Sequence, residues 1–165
     1  MAANVLDRFE FRSVRANEAE EVAEIEKICF PPHEVCSKKD MFERVEHAPE
    51  LFLVAVDKET GTIAGFLNGL ATDEEAFRDE FFTDITVHNP EGKNIFLLGL
   101  DVRPEYRRQG LAREIMNQYV KREQAKGRTM LKLTCLNRKW KCIKKWATKT
   151  KVSLLLYGAM KNGMR

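Results

Sequence analysis

The segment that most constrains this chain is Leu97–Val120, LLGLDVRPEYRRQGLAREIMNQYV. It closes a nearly unbroken apolar run, Asn94–Val102, of the kind found in a strand covered on both faces. A loop with Pro104 follows, then the basic turn Arg107-Arg108-Gln109-Gly110-Leu111-Ala112, and then a long helix over Gly110–Lys126. The helix carries apolar residues at Leu111, Ile115, Met116, Tyr119 and Val120 and is closed by Gly127. That order builds an anion site. N–H groups at a helix N-terminus lack acceptors, the helix dipole favours negative charge there, Gly110 permits close backbone approach, and small Ala112 leaves room along the first turn. Arg107 and Arg108 add cationic reach. The turn is not a Walker loop, because no G-K-[ST] follows, and G-x-G-x-x-G is absent.

The elements around it predict an α+β domain with a mixed sheet. Phe9–Val14 reads as a strand. Asn17–Phe30 reads as a helix, with Asn17 as N-cap, Glu20 as its capping-box partner and Pro31-Pro32 as the stop. Ser37 caps a second helix over Lys38–Glu46. Leu51–Asp57 and Thr62–Leu70 alternate as a hairpin about Glu59-Thr60-Gly61. An acidic stretch, Thr72–Thr83, reads as surface loop with some helix, and Met130–Cys135 as the last strand. The sequence shows no linker and no repeat, so residues 1–165 are expected to form a single domain. No apolar run approaches the ~20 residues that span a bilayer. The acidic, polar start lacks a signal-peptide core, so the expected location is cytoplasmic, with no membrane partner.

Cys29, Cys36, Cys135 and Cys142 form no C-x-x-C pair and have no histidine cluster beside them, so no metal site is expected and the thiols read as reduced. The net charge of +3 is unevenly spread. Arg138–Arg165 holds nine Lys or Arg residues and no Asp or Glu, which leaves the rest of the chain acidic. A basic tail carrying Trp140 and Trp146 raises a nucleic-acid reading, which the rest of the sequence does not favour.

The pattern V-x-P-x-x-R-x-x-G-x-A on a strand-to-helix turn resembles motif A of the GNAT acetyltransferases. FRSVRANEAEEVAEIEKICFPPHEVCS, APELFLVAVD, IAGFLNG and HNPEG are similar to the arylalkylamine (serotonin) N-acetyltransferase branch and its microbial relatives. The likeness spans Phe9 to about Lys139. It implies the GNAT fold, a central, mostly antiparallel mixed sheet with flanking helices. It also implies acetyl transfer from acetyl-CoA to a primary amine of a small molecule by direct attack through a tetrahedral intermediate, in a monomer or homodimer. The cofactor contacts it implies are the backbones of Leu100 and Val102, the turn Arg107, Arg108, Gln109, Gly110, Leu111 and Ala112, and Asn137.

Two departures bear on catalysis. The two histidines that relay the amine proton in that branch are matched here by Phe96 and Leu98, which leaves Glu34, in the CFPPHE loop, and His88 as substitute bases. After Lys139 the expected Y-x-K-x-G-[FY] segment is missing, and Ile143 stands where the tyrosine that protonates the thiolate belongs. One permitted codon string for Trp140–Arg165, read in a shifted frame, restores a Y-K-K-M-G-Y run and a W-H-E ending. The tail therefore reads as a frameshift product, set against a divergent native tail with Trp140, Ile143, Trp146 and Ala147 on one helical face. If both base and acid are gone, the alternative is a CoA-binding protein with weak or no catalysis.

Overall fold

A computed structural model describes residues 4–33, 35–74 and 80–133. Glu34, Asn137, Cys135, Cys142 and the whole segment Trp140–Arg165 lie outside these residues. Five strands run β1 (Phe9–Ser13), β2 (Phe52–Asp57), β3 (Ile63–Thr72), β4 (Asn94–Val102) and β5 (Met130–Leu133). They form one sheet in sequence order, antiparallel from β1 to β4 and parallel between β4 and β5. This is the expected mixed, mostly antiparallel α+β architecture.

Among the described residues five helices accompany the sheet: α1 (Val5–Arg8), α2 (Ala19–Cys29), α3 (Lys38–His47), α4 (Glu80–Thr83) and α5 (Leu111–Ala125). One face of the sheet carries Leu53, Ala55, Leu67, Ile95 and Leu97 and packs against Leu111, Ile115, Met116, Tyr119 and Val120 of α5. The other face carries Phe52, Val54, Ile63 and Phe66, under Val22 and Ile25 of α2 and Met41 and Val45 of α3. Burying both faces is what the continuous apolar patterns of β2, β3 and β4 require.

Local chemistry sets most element ends. Ser37 caps α3 by accepting the Asp40 N–H at 3.1 Å. Gly61, at φ 73°, closes the β2–β3 hairpin with its N–H on the Asp57 carbonyl. The start of α2 differs from the expectation. Asn17 lies inside a 3₁₀ turn, Ala16–Glu18, and Glu18 reaches back to the Arg15 N–H at 2.8 Å. Glu18 wins because Arg12 also holds its carboxylate, an interaction Glu20 lacks.

Two features of β4 position the site. Asn68 of β3 pairs with Gly99 and Gly69 with Leu97, so Leu98 is an extra residue that bulges the strand. Among the described residues, which end at Leu133, β5 pairs with Asn94–Leu97, the first half of β4.

Candidate active site

The turn from β4 into α5 forms as the sequence implies. Pro104–Tyr106 is a 3₁₀ turn that leads to Arg107 in extended conformation, Arg108 at φ 64° and Gly110 at φ 81° as N-cap of α5. No side chain caps the helix. Among the described residues, the N–H groups of Arg108, Gln109, Gly110, Leu111 and Ala112 have no acceptor, whereas Glu114 N–H already bonds to the Gly110 carbonyl. Left-handed residues alternating with ordinary ones in this way point successive N–H groups into one concavity, which suits an anion. An open pocket of about 310 Å³ lies over the turn, lined by Val102, Tyr106, Arg107, Arg108, Gly110, Leu111, Ala112 and Arg113. The turn's own groups thus fit a pyrophosphate.

Tyr106 anchors the turn from below. Its hydroxyl donates to Asp57 Oδ2 at 2.8 Å, its ring meets Phe9 edge-on at 5.7 Å, and Arg8 lies over both rings and 3.5 Å from Asp57. The Tyr106 hydroxyl, with help from the Glu59 N–H and Arg8, holds the Asp57 carboxyl below the usual carboxylate range against the opposing effect of burial. Burial first, and then the bond to Asp57, push the Tyr106 hydroxyl up. Gln109 accepts from Arg8 at 3.0 Å, so α1, which the sequence reading missed, also steadies the turn.

Other expected contacts are arranged differently. Arg107 does not reach outward: its Nε donates to the Val102 carbonyl at 2.9 Å and its Nη2 to Cys29 Sγ at 3.5 Å. Cys29 Sγ–H also donates to Val102 O at 3.4 Å, so that carbonyl is already taken by the chain. Leu100 lies on the half of β4 beyond the residues that pair with Met130–Leu133. Phe96 and Leu98 join the packing of Leu70 and Phe81, with the Phe81 and Phe96 rings 4.6 Å apart. His88 accepts the Ala71 N–H on Nδ1 at 3.1 Å, which places its proton on Nε2, 2.8 Å from Glu50 Oε1. Ala71 pairs with Ile95, upstream of the bulge, so His88 braces the loop before β4 and neither ring nitrogen is free to take a proton from an amine.

On the α2–α3 side of β4 the structure assembles a group of residues that the sequence reading passed over. Glu26, Arg44, Asn68 and Asp101 are all buried there. Glu26 Oε1 accepts the Cys36 N–H at 3.2 Å, and Arg44 Nη1 donates to Asn68 Oδ1 at 3.2 Å. Burial pushes the Cys36 thiol up to about 11, with Arg44 pulling it down and Glu26, Asp40 and Asp101 raising it further. That thiol stays protonated and is no nucleophile. One signal for this group was present in the sequence: Glu26 falls on the apolar stripe of α2 and is buried with Val22 and Ile25.

Residues 19–139 match the model of the acetyltransferase (GNAT) family, so the fold and the β4–α5 turn are those of a GNAT protein, and the chain belongs to that family. Among curated proteins it is similar to the probable hydrolase YhcX of Bacillus subtilis (strain 168), 30% identical over 114 residues. That match takes in 62% of this chain and 22% of YhcX, so the chain spans about a fifth of that relative's length. Among solved structures it resembles the loading GNATL domain of CurA from Lyngbya majuscula, with a TM-score of 0.69 at 15% identity, covering 81% of this chain and 68% of that one. It also resembles the diaminobutyrate acetyltransferase EctA from Paenibacillus lautus, solved with L-2,4-diaminobutyric acid and coenzyme A, with a TM-score of 0.62 at 15% identity, covering 87% and 75%.

Proposed function

We propose that this protein transfers the acetyl group of acetyl-CoA to a primary amine of a small molecule, with an arylalkylamine as one candidate. The observation that carries the reading is the row of acceptorless N–H groups from Arg108 to Ala112 at the mouth of α5, in a chain of the GNAT family. Five N–H dipoles and a helix N-terminus converge where a pyrophosphate would sit, and the basic side chains nearby add favourable potential.

In this reading Gly110, Leu111 and Ala112 hold the pyrophosphate through their backbones, with Arg108 and Gln109 beside them. The edge of β4 at Leu100 meets the pantetheine arm, and Asn137 adds a contact. The Val102 carbonyl joins once the Arg107 side chain turns away from it. Acetyl-CoA supplies an activated thioester carbonyl. The chain then has to orient an amine beside that carbonyl, take one proton from the amine, and offer a strand N–H near Leu100 to the developing oxyanion. Trp140–Arg165 is read as out of frame, with Ile143 in the place of a thiolate-protonating tyrosine, which would weaken turnover without removing CoA binding.

The test is calorimetric titration with acetyl-CoA and CoA, followed by thiol release from acetyl-CoA with 2-phenylethylamine, tryptamine and 1,4-diaminobutane. Binding with amine-dependent thiol release supports the transferase. Binding without it would leave a CoA-binding protein, and no binding overturns the reading.

A further inference from the structure

Gly99 has an ordinary strand conformation, because the glycines with positive φ are Gly61, Gly110 and Gly127. Its backbone therefore does not require glycine, and the missing side chain has to be explained by space. A Cβ at Gly99 would stand 3.4 Å from Asp101 Oδ1, 3.5 Å from Asn68 Nδ2 and 3.9 Å from Glu26 Oε2. Three polar atoms from three different elements thus converge on the point that Gly99 leaves open. Two of them have no hydrogen-bond partner among the described residues: Glu26 Oε2, in a residue 6% exposed, and Asn68 Nδ2, in a residue 1% exposed. A buried carboxylate oxygen and a buried amide without partners are costly, and both are aimed at one spot.

That spot lies beside the bulge at Leu98, just past the β4 residues that pair with Met130–Leu133, where β4 runs toward the β4–α5 turn. It is therefore next to the strand edge along which the thioester would lie. The charged groups that act on the neighbouring neutral Cys36 thiol are Glu26 from α2, Asp40 and Arg44 from α3, and Asp101 from β4. Two buried carboxyl groups, Glu26 and Asp101, thus share this side of β4 with the Arg44 guanidinium. Arg44 also lines a small pocket together with Asp40, Glu43, Asp84, Leu70, Phe81 and Ile85.

We infer that Glu26 is the proton acceptor for the amine, and that Glu26 and Asp101 beneath Gly99 bind it as a primary ammonium. The inference rests on the transferase reading and names the base that reading lacks. The ammonium R–NH₃⁺ gives one proton to Glu26 Oε2. The freed lone pair forms the N–C bond at the thioester carbonyl, and the C–S bond breaks as the tetrahedral adduct collapses. The second amine proton goes to the departing thiolate, giving the amide and the free thiol, and Glu26 returns its proton to solvent. Asp101 orients the nitrogen by accepting from it, while Glu26 Oε1 stays fixed by the Cys36 N–H.

Glu26→Gln tests this directly, because it keeps the shape and the Oε1 acceptor. For the panel amine with the highest turnover, kcat/KM should fall on the order of 10²-fold or more. The acid limb of its pH profile should flatten, and acetyl-CoA affinity should stay within about twofold of wild type. Should that variant fail to fold, Gly99→Ala takes over. Its methyl meets the three polar atoms at ordinary contact distances, so it should fold, bind acetyl-CoA and lose amine turnover. Wild-type-like kcat/KM with an unchanged pH profile in Glu26→Gln, or full turnover in Gly99→Ala, overturns the inference while leaving the transferase reading standing. Absence of turnover by the wild type with every panel amine overturns the transferase reading itself, and this inference with it.

Discussion

Gly110→Glu separates the charge requirement of the β4–α5 turn from its backbone requirement. Gly110 adopts φ 81°, and a Cβ placed there meets nothing within 4 Å. A side chain is therefore penalised for handedness and not for contact, at about 1–2 kcal/mol. In a chain of this size that lowers Tm by about 2–4 °C per kcal/mol. Gly110→Ala carries this strain alone. Gly110→Glu adds a negative charge at the mouth of the helix. At ~4 Å from one phosphate charge, with an effective dielectric near 20, the repulsion is about 4 kcal/mol, and screening in the open pocket reduces it. The expected outcome is a CoA affinity lower by roughly 10²–10³-fold in Gly110→Glu than in Gly110→Ala, with similar melting temperatures. Calorimetric titration and thermal melts of the two variants measure both quantities. Equal CoA affinity in the two would refute the placement of the pyrophosphate on this turn.

Tyr106→Phe leaves buried Asp57 without its hydroxyl donor and should cost about 1–3 kcal/mol in thermal or urea unfolding. Because the folded-state Asp57 carboxyl sits below its unfolded value of about 3.9, the stabilisation is fully present above that pH and is lost as pH falls through the lower folded value. The gap between wild type and Tyr106→Phe should therefore narrow in acid. His88→Ala removes the acceptor of the Ala71 N–H and the partner of Glu50, so it should lower stability by about 1–3 kcal/mol and leave the pH profile of turnover unchanged. A tenfold loss of kcat at unchanged Tm would instead make His88 the base. Restoring one base at the Trp140 codon should yield a Y-K-K-M-G-Y-like run and a protein with higher Tm and turnover; sequencing the gene and assaying the restored chain decide it, and a gain in neither shows the tail to be native.

The parts of the fold that could be read from the sequence are those set by local signals. The apolar run of β4, the R-x-x-G-x-A turn and the 3.6-residue stripe of α5 occupy one continuous stretch, so strand, turn and helix follow from neighbours in the chain. Ser37 and Gly61 act over three or four residues, and both elements end where those residues place them. The start of α2 was misread because its outcome depends on Arg12, which lies on β1 outside the helical pattern and gives Glu18 its second partner. α1 escaped because four residues carry no period, and its worth comes from Arg8 meeting Asp57, Tyr106 and Gln109, which are distant in sequence.

The centre around Gly99 shows why a candidate base can stay hidden even where each residue is visible. Glu26 looks like one polar position in AEEVAEIEKIC, Asn68 like a polar break in IAGFLNG, and Gly99 and Asp101 like small interruptions of an apolar strand. None of these is a motif. The bulge at Leu98 sets Gly99 opposite Asn68 instead of one position out of step, and a one-residue change of register turns a side chain to the other face of the sheet. Without the bulge, Gly99 and Asn68 would not stay opposite each other while Leu97 and Ile95 kept their places in the core under α5. The residue pattern supplies the polar groups, and the register irregularity brings them to one point on the second half of β4. The histidine positions of the arylalkylamine branch, Phe96 and Leu98, lie just upstream of this point and pack against Leu70 and Phe81. With apolar packing there, a base for the amine has to come from another element, and α2 is the helix that delivers a carboxylate oxygen within reach of Gly99.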